Sequence, residues 1–374
     1  MWIRSQHGKF RLEAQRLKSK VTGQEQTDLE LSGEFAEGYI SPGLKELVGY
    51  YSNRLSYEEV SRLLERLSGQ PLLSDQKAEQ LVLEQAESIS QALVAELAEF
   101  EQQRQELPTI NRQVDLYDAQ SVETLLFADG IQVKQQAAKR EKRNQTQAET
   151  GKPRSFAQTH LVMLAKAGGG YEYMSELLPN APQPDNCLAQ QVRRHLIAEY
   201  GQRQTPLNLV AITDGATTLR LLILAVCGVM IALILDWYHL EKKVTELMSM
   251  IAWNKREKEK HLQVILASLW RGLTDEVLAY LGTLKPRNPD RLQELLTYLQ
   301  KHRTEIVDYQ RRQQLGKAIG CGRMEKGCDQ VIGHRQKKKG MSWSLIGSRS
   351  LALLKVAELN GRWQQLWFSQ PCLT

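Results

Sequence analysis

Leu207-Asn208-Leu209-Val210-Ala211-Ile212-Thr213-Asp214 is the stretch on which the reading of this chain turns. It is apolar, β-branched at Val210 and Ile212, and stops abruptly at Asp214-Gly215, the pattern of a buried strand running into a turn. A carboxylate at the C-terminal tip of a buried strand is costly unless something cationic meets it. Two further acids stand in comparable places. Asp129 closes the apolar run LLFADG, and Glu325 falls in the series Ala318, Cys321, Glu325, Cys328, Ile332, whose spacing of 3, 4, 3 and 4 traces one helical stripe of otherwise small or apolar residues. Three acids on core-facing positions are best explained by shared divalent metal. Asp129, Asp214 and Glu325 are therefore the candidate catalytic and metal-binding residues.

The surrounding pattern gives these acids a scaffold. Leu125–Ala128 and Ile131–Val133 read as strand. His160–Leu164 and Tyr171–Met174, either side of Gly168-Gly169-Gly170, read as two hairpin strands. Cys187–Tyr200 reads as a helix, Leu207–Asp214 as the fourth strand, and Met230–Leu235, after a crossover helix, as a fifth strand ending at Asp236. Three strands, helix, strand, helix, strand is the order of a ribonuclease H-like α/β domain, with one acid on the first strand and another on the fourth. Asp236 ends an apolar strand too and rivals Asp214, and His239 three residues on is placed to orient it or to touch metal or DNA. Asp115 and Asp118 lie in a loop-like stretch and read as surface acids. Asp329 flanks the stripe less centrally, while Arg323 and Lys326 either meet a scissile phosphate or balance charge.

Outside this domain the chain is helical. Residues 1–40 are mixed in composition, with a short strand pair expected over Trp2–Leu12 around His7-Gly8. From 41 to 107 helices are expected. Ser56 and Glu59 form a capping box, Val60, Leu63, Leu64 and Leu67 an apolar face, and Ser68-Gly69-Gln70-Pro71 a stop. A new helix starts at Ser74-Asp75 and exposes Gln76, Lys77 and Gln80. Helix, short turn, helix is the outline of a DNA-binding helix-turn-helix and equally of an ordinary hairpin; Glu79, Glu84 and Glu87 weigh against DNA along that helix. The second helix continues through Val82, Ala86, Ile89, Leu93, Leu97 and Phe100 to Glu106, as a coiled-coil arm or as a spacer packed on the next domain. Lys139 to Arg154 is basic, Gln-rich and loop-like. Residues 241–315 read as an all-α insertion, with Lys255–Lys260 a solvated face, and 316–374 as the closing helices of the core. There the run Lys337-Lys338-Lys339 offers phosphate contacts, and Arg349–Trp367 forms a last helix with Trp363 and Trp367 one turn apart.

Composition narrows the classes. A net charge of +6 over 374 residues permits nucleic acid without requiring it. Five cysteines without a C-x-x-C pair suit small buried side chains in a reducing cytoplasm. The N-terminus has no apolar signal-peptide core. The longest uncharged apolar run, Leu221–Leu235, falls short of the ~20 residues a membrane span needs, and reads as a buried helix followed by a strand.

Several segments together resemble a known group. AITDGA (211–216), LILDWYHLEKKVTELM (233–248), KAIGCGRMEKGCDQVIGHRQKKKGMSWS (317–344) and LNGRWQQLW (359–367) are similar to the Kra-type insertion-sequence transposases of prokaryotes, relatives of the Mutator-like clan of DDE transposases. The resemblance covers residues 45 to 370 and is most specific between Gly320 and Trp343. It implies a ribonuclease H-like catalytic domain with a helical insertion between the second and third acids, and assigns Asp129, Asp214 and Glu325 as the triad. Asp236 and His239 match the D-x-x-H signature after the second acid, and LSYEEVSRLLERLSGQPLLSDQKAEQLV (55–82) is similar to the family's helix-turn-helix. The implied protein is a cytoplasmic, nucleoid-associated DNA transposase. It binds double-stranded element ends and target as a homo-oligomer and uses two Mg²⁺ (or Mn²⁺) ions. Water attacks first, and the 3′-hydroxyl released then attacks target DNA. Two alternatives stay open: a non-catalytic basic DNA-binding or assembly protein, and a nuclease of the same fold that does not join strands.

Overall fold

A computed structural model describes residues 2–13, 15–28, 38–136, 155–179, 186–228 and 231–368; the basic stretch Lys139–Arg154 and Met230, the expected start of the fifth strand, lie outside them. Two small antiparallel hairpins open the chain, β1 (Trp2–Ser5) with β2 (Gly8–Arg11) and β3 (Arg16–Lys18) with β4 (Glu25–Thr27). The first is the strand pair expected around His7-Gly8.

Three helices follow: α1 (Pro42–Ser52), α2 (Tyr57–Ser68) and α3 (Asp75–Gln102). Ser56 and Glu59 make the expected capping box, and Gly69 ends α2 in the left-handed conformation. At 28 residues α3 is about 42 Å long. Its apolar face is covered by the helix Leu345–Leu359 near the end of the chain and by α1 and α2, with Leu44, Val48, Val60, Val82 and Leu97 buried among Leu351 and Leu354. Of the two readings of this long helix, the packed spacer is the one observed.

The central sheet has five strands: β5 (Thr124–Lys134), β6 (Phe156–Ala165), β7 (Tyr171–Ser175), β8 (Leu209–Thr213) and β9 (Ala232–Leu235). Their order is β7-β6-β5-β8-β9, the first three antiparallel and β5, β8 and β9 parallel. Helices α4 (Cys187–Tyr200) and α5 (Thr217–Cys227) cover one face, where Leu126, Ala128, Val192, Leu196, Ala211 and Ile223 are buried together. Phe127, Ile212 and Ile234 point to the other face and its larger core. Every residue of β8 is buried, as a strand covered on both faces requires.

After β9 the chain makes a helical excursion: α6 (Trp237–Ile251), α7 (Lys255–Trp270), α8 (Thr274–Gly282), α9 (Pro289–Lys301) and α10 (Tyr309–Gln314). It leaves and returns at one place. Leu235 N–H donates to the Glu305 carbonyl (3.0 Å), Tyr309 Oη to the Leu235 carbonyl (2.8 Å), and Trp237 N–H to the Ile319 carbonyl (3.1 Å). Then come α11 (Gly322–Cys328), a π-helical turn over Asp329–Gly333 that runs on to Gln336, α12 (Leu345–Leu359) and α13 (Trp363–Phe368).

Four expectations are corrected. Asp129 does not end its strand: Gly130 stays in the ladder opposite His160, and β5 runs on to Lys134. The stripe from Ala318 to Ile332 is not one helical face. The helix begins only at Gly322, and a Cβ on Gly327 would sit 2.5 Å from Met163 Sδ, so Gly327 is pressed onto β6. Cys321, Met324 and Cys328 are buried on that side, and Glu325, two residues before Gly327 and so on the far side, is exposed. Arg349–Trp367 is two helices, broken at Asn360-Gly361 with Gly361 at φ 72°. The helix after β8 is buried on one side only, since Leu221 is 60% exposed. No helix among the described residues is long and apolar enough to cross a membrane.

Candidate active site at the ends of the central strands

Register puts three aspartates side by side. Ala128 on β5 pairs with Thr213 on β8, and Thr213 with Leu235 on β9. The next residue on each strand is Asp129, Asp214 and Asp236. β8 and β9 end here, so this row lies where β5 loses its parallel neighbours.

Asp129 and Asp214 are half-buried and have no salt-bridge partner among the described residues. Burial, and then the charge of Asp214, raises the Asp129 carboxyl above the ordinary aspartate range; the Gly130 amide and the Cys328 thiol, whose Sγ lies 3.6 Å from Asp129 Oδ2, pull the other way. Asp214 Oδ1 accepts the Ala216 N–H at 2.9 Å, which closes a tight turn. Gly215 inside it has φ 86°, and a Cβ there would lie 2.6 Å from His302 Cε1, so both conformation and space demand glycine.

Asp236 is fully buried and caps α6: Oδ1 accepts the His239 N–H at 3.0 Å, and Oδ2 accepts the Cys321 N–H in a short contact. Burial alone would raise its carboxyl, but the hydrogen bonds from His239 and Cys321 outweigh it and hold the group low. The His239 imidazole is raised chiefly by Asp236, against burial, with Asp214 and Asp129 adding to the effect. Its ring therefore feels all three aspartates.

The excursion closes one side of the site. Tyr298 is pushed up to about 12 by burial and then by Asp214 and Asp236. His302 Nδ1 lies 2.7 Å from Glu305 Oε2, and Arg220 of α5 pairs with the same carboxylate. Burial, aided by Lys301 and Arg220, pushes His302 down to about 4, against the pull of Asp214. A carboxylate contact of that length favours imidazolium, whereas burial favours the neutral ring; with Arg220 already balancing Glu305, we assign the neutral ring, donating from Nδ1.

Glu325 stands at the rim. Its helix packs on β5 and β6, and the Cys321 thiol, raised chiefly by burial and then by Asp236 and Asp129, feels its charge as well. The oxygens of Asp129, Asp214 and Glu325 are nonetheless not gathered. Among the described residues, the set of three ligand groups within 4.8 Å of one another is Asp236, His239 and Cys321.

The other sequence candidates lie apart. Asp115 and Asp118 are exposed and accept from the amides of Tyr117 and Gln120, as local turn residues. Arg323 and Lys326 are exposed beside Glu325, with Arg323 bonded to the Tyr171 hydroxyl. Gln76 and Gln80 are exposed and Lys77 half-buried at the start of α3, where Lys77 bonds Gln80 at 3.1 Å and Gln80 bonds Glu84 at 2.7 Å. Lys337, Lys338 and Lys339 are exposed, and Lys338 Nζ reaches the Arg54 carbonyl at 3.2 Å.

A family profile matches residues 36–367, a span that holds the whole sheet and every acid above. The chain belongs to the Uncharacterised protein family (UPF0236). No curated protein matches it in sequence. Among solved structures it is similar to the Drosophila P element transposase strand transfer complex, at 11% identity over 90% of this chain and 83% of that one, with a TM-score of 0.27. A likeness that loose carries no argument about fold or chemistry.

In this UPF0236 chain, sequence reasoning missed Cys321 as a potential ligand, and missed Tyr298, His302, Glu305 and Arg220 altogether. They reach the site from elements far apart in the chain, and no local spacing announces them. Chemically, the row offers hard carboxylate oxygens from two half-buried, mutually repelling acids, an imidazole in their field, and a further acid at the rim.

Proposed function

We propose that this chain is a DNA transposase of a prokaryotic insertion sequence, built on a ribonuclease H-like catalytic domain. The observation that carries this reading is the row of aspartates on three adjacent parallel strands, in which Asp129 and Asp214 face each other without a salt-bridged cation among the described residues. The strand order, an antiparallel meander followed by two parallel strands, supports it, as does the transposase-related character of the family.

The residues fit a divalent metal. Two adjacent like charges of hard oxygen character suit Mg²⁺ or Mn²⁺. Asp129 and Asp214 would hold the ions, and Glu325 would complete the set by turning in from the rim when the site is loaded. Two bound ions supply an activated water or 3′-hydroxyl and charge relief at the leaving oxygen. His239 holds Asp236 through its backbone N–H, and its ring, in the field of the aspartates, would line the path of the scissile strand. Gln76, Lys77 and Gln80 on residues 41–107, together with Lys337, Lys338 and Lys339, would contact DNA, mostly at phosphates. The excursion would organise strands or a second copy of the chain, in the nucleoid.

The test uses duplexes made from the DNA flanking the coding region. Incubated with Mg²⁺ or Mn²⁺, the chain should cut at the element boundary, leave a 3′-hydroxyl and join it to a second duplex. Asp214→Asn and Glu325→Gln should each lose on the order of 10³-fold in cutting while still shifting the duplex in a gel. Cutting that survives in either variant removes that residue from the triad. Hydrolysis without joining makes the protein a nuclease, and binding without any metal-dependent cutting makes it a DNA-binding or assembly protein.

A further inference from the structure

Asp236, His239 and Cys321 form a second constellation beside the Asp129–Asp214 pair. Asp236 sits at the end of β9, His239 on the first turn of α6 and Cys321 at the cap of α11. The first and last of these are buried. His239 Nδ1 lies 3.6 Å from Asp236 Oδ1 and 3.7 Å from Cys321 Sγ.

The first distance is the informative one. An N–H···O hydrogen bond spans about 2.7–3.2 Å, so at 3.6 Å the ring and the carboxylate form an ion pair that is longer than a direct hydrogen bond. A tetrahedral zinc ion, with bonds of about 2.0–2.3 Å to nitrogen, oxygen and sulfur, separates its ligands by about 3.4–3.6 Å. Both observed separations fall close to that. The carboxylate is also held as metal-bound carboxylates are: its two oxygens take the backbone N–H groups of His239 and Cys321 and still have lone pairs free.

We propose that Asp236, His239 and Cys321 bind a zinc ion, with water as the fourth ligand. The sulfur donor excludes Mg²⁺ and sets this site apart from an all-carboxylate one. Binding exchanges the Cys321 S–H bond for an S–Zn bond, and the proton leaves to solvent. The ion would clamp the start of α6 to the segment from which α11, the helix of Glu325, departs.

The full-length chain is loaded with Zn²⁺, dialysed, and its metal content measured. About one zinc per chain is expected for the wild type and for Asp214→Asn, and little for Cys321→Ser and His239→Ala. Replacement by Co²⁺ should give a thiolate-to-cobalt absorption band in the near ultraviolet that Cys328→Ser retains. If Cys321→Ser does not fold, the cobalt spectra of wild type and Cys328→Ser decide. A wild type without the band, or a band that disappears with Cys328, overturns the assignment. So does zinc content unchanged in a folded Cys321→Ser.

Discussion

The stretch of β5 that pairs in parallel with β8, Thr124 to Ala128, has an acid at each end, and the two are treated differently. Glu123, just before the strand, is almost fully buried and clamped by cations: Arg312 from α10 at 2.8 and 3.0 Å and Lys317 at 2.9 Å. Arg312 is itself wholly buried and spends its remaining donors on the Ala318 and Leu116 carbonyls. At the other end, Asp129 meets Asp214, a like charge, and no salt-bridged cation among the described residues. The molecule thus has the means to neutralise a buried acid, and uses them at Glu123 and not at Asp129. Under the function proposed above, the uncompensated acid is the one that takes a ligand.

The comparison breaks most visibly at the clamped end. Arg312→Met strips Glu123 of its bidentate partner and should destabilise the chain by about 3 kcal/mol or more in urea unfolding. Adding Glu123→Leu should recover much of that, because a buried pair replaced by apolar side chains is often neutral. A near wild-type Arg312→Met would mean that Glu123 is not the anchored acid it looks to be. At the open end, Gly215→Ala should cost about 1–3 kcal/mol, from positive φ and the collision with His302. His302→Ala in the same chain should relieve the closer collision and leave the backbone part and the contact with Leu235 Cδ1 at 3.0 Å.

The smallest effect sharpens the contrast most. The folded Asp129 carboxyl binds its proton more tightly than the unfolded one. Stability therefore falls as pH rises from the ordinary aspartate value of 3.8 through the raised folded value, and the cost is complete above it. Asp129→Asn removes this cost. At pH 7 it should melt a few degrees higher than the wild type, and the two should converge in acid, below the unfolded aspartate's range. Added Mg²⁺ should raise the wild-type Tm and leave the variant's nearly unchanged. A variant that melts lower at pH 7 would reveal a stabilising partner for Asp129.

Much of this architecture was legible in the residues. The five strands and two crossover helices declared themselves through apolar runs stopped by Gly and Asp, and Asp214 and Asp236 were visible as carboxylates closing such runs. What was not legible depended on neighbours. Gly130 looks like a stop, yet pairing with His160 keeps β5 extended beyond Asp129. Glu325 has helical spacing to two buried cysteines, but Gly327 seated on Met163 decides which face turns inward. Cys321 sits between two glycines with no ligand spacing, and becomes interesting only when the fold brings it to His239. The clamp on Glu123 is equally silent, because Arg312 reads as one more charge in an amide-rich stretch.

The stitched base of the helical excursion has an architectural consequence. Leu235, Trp237, Glu305, Tyr309 and Ile319 fasten outgoing and incoming chain to one spot, so the segment between behaves as a cul-de-sac. The junction of α7 and α8 is itself packed at this base, Trp270 against Trp237 and Tyr309; the far tip, where Trp253 donates to the Lys285 carbonyl at 3.0 Å, could lengthen, shorten or acquire new side chains over generations while the sheet's geometry stayed fixed. Whatever partner the tip meets can be exchanged without rebuilding the acids beneath.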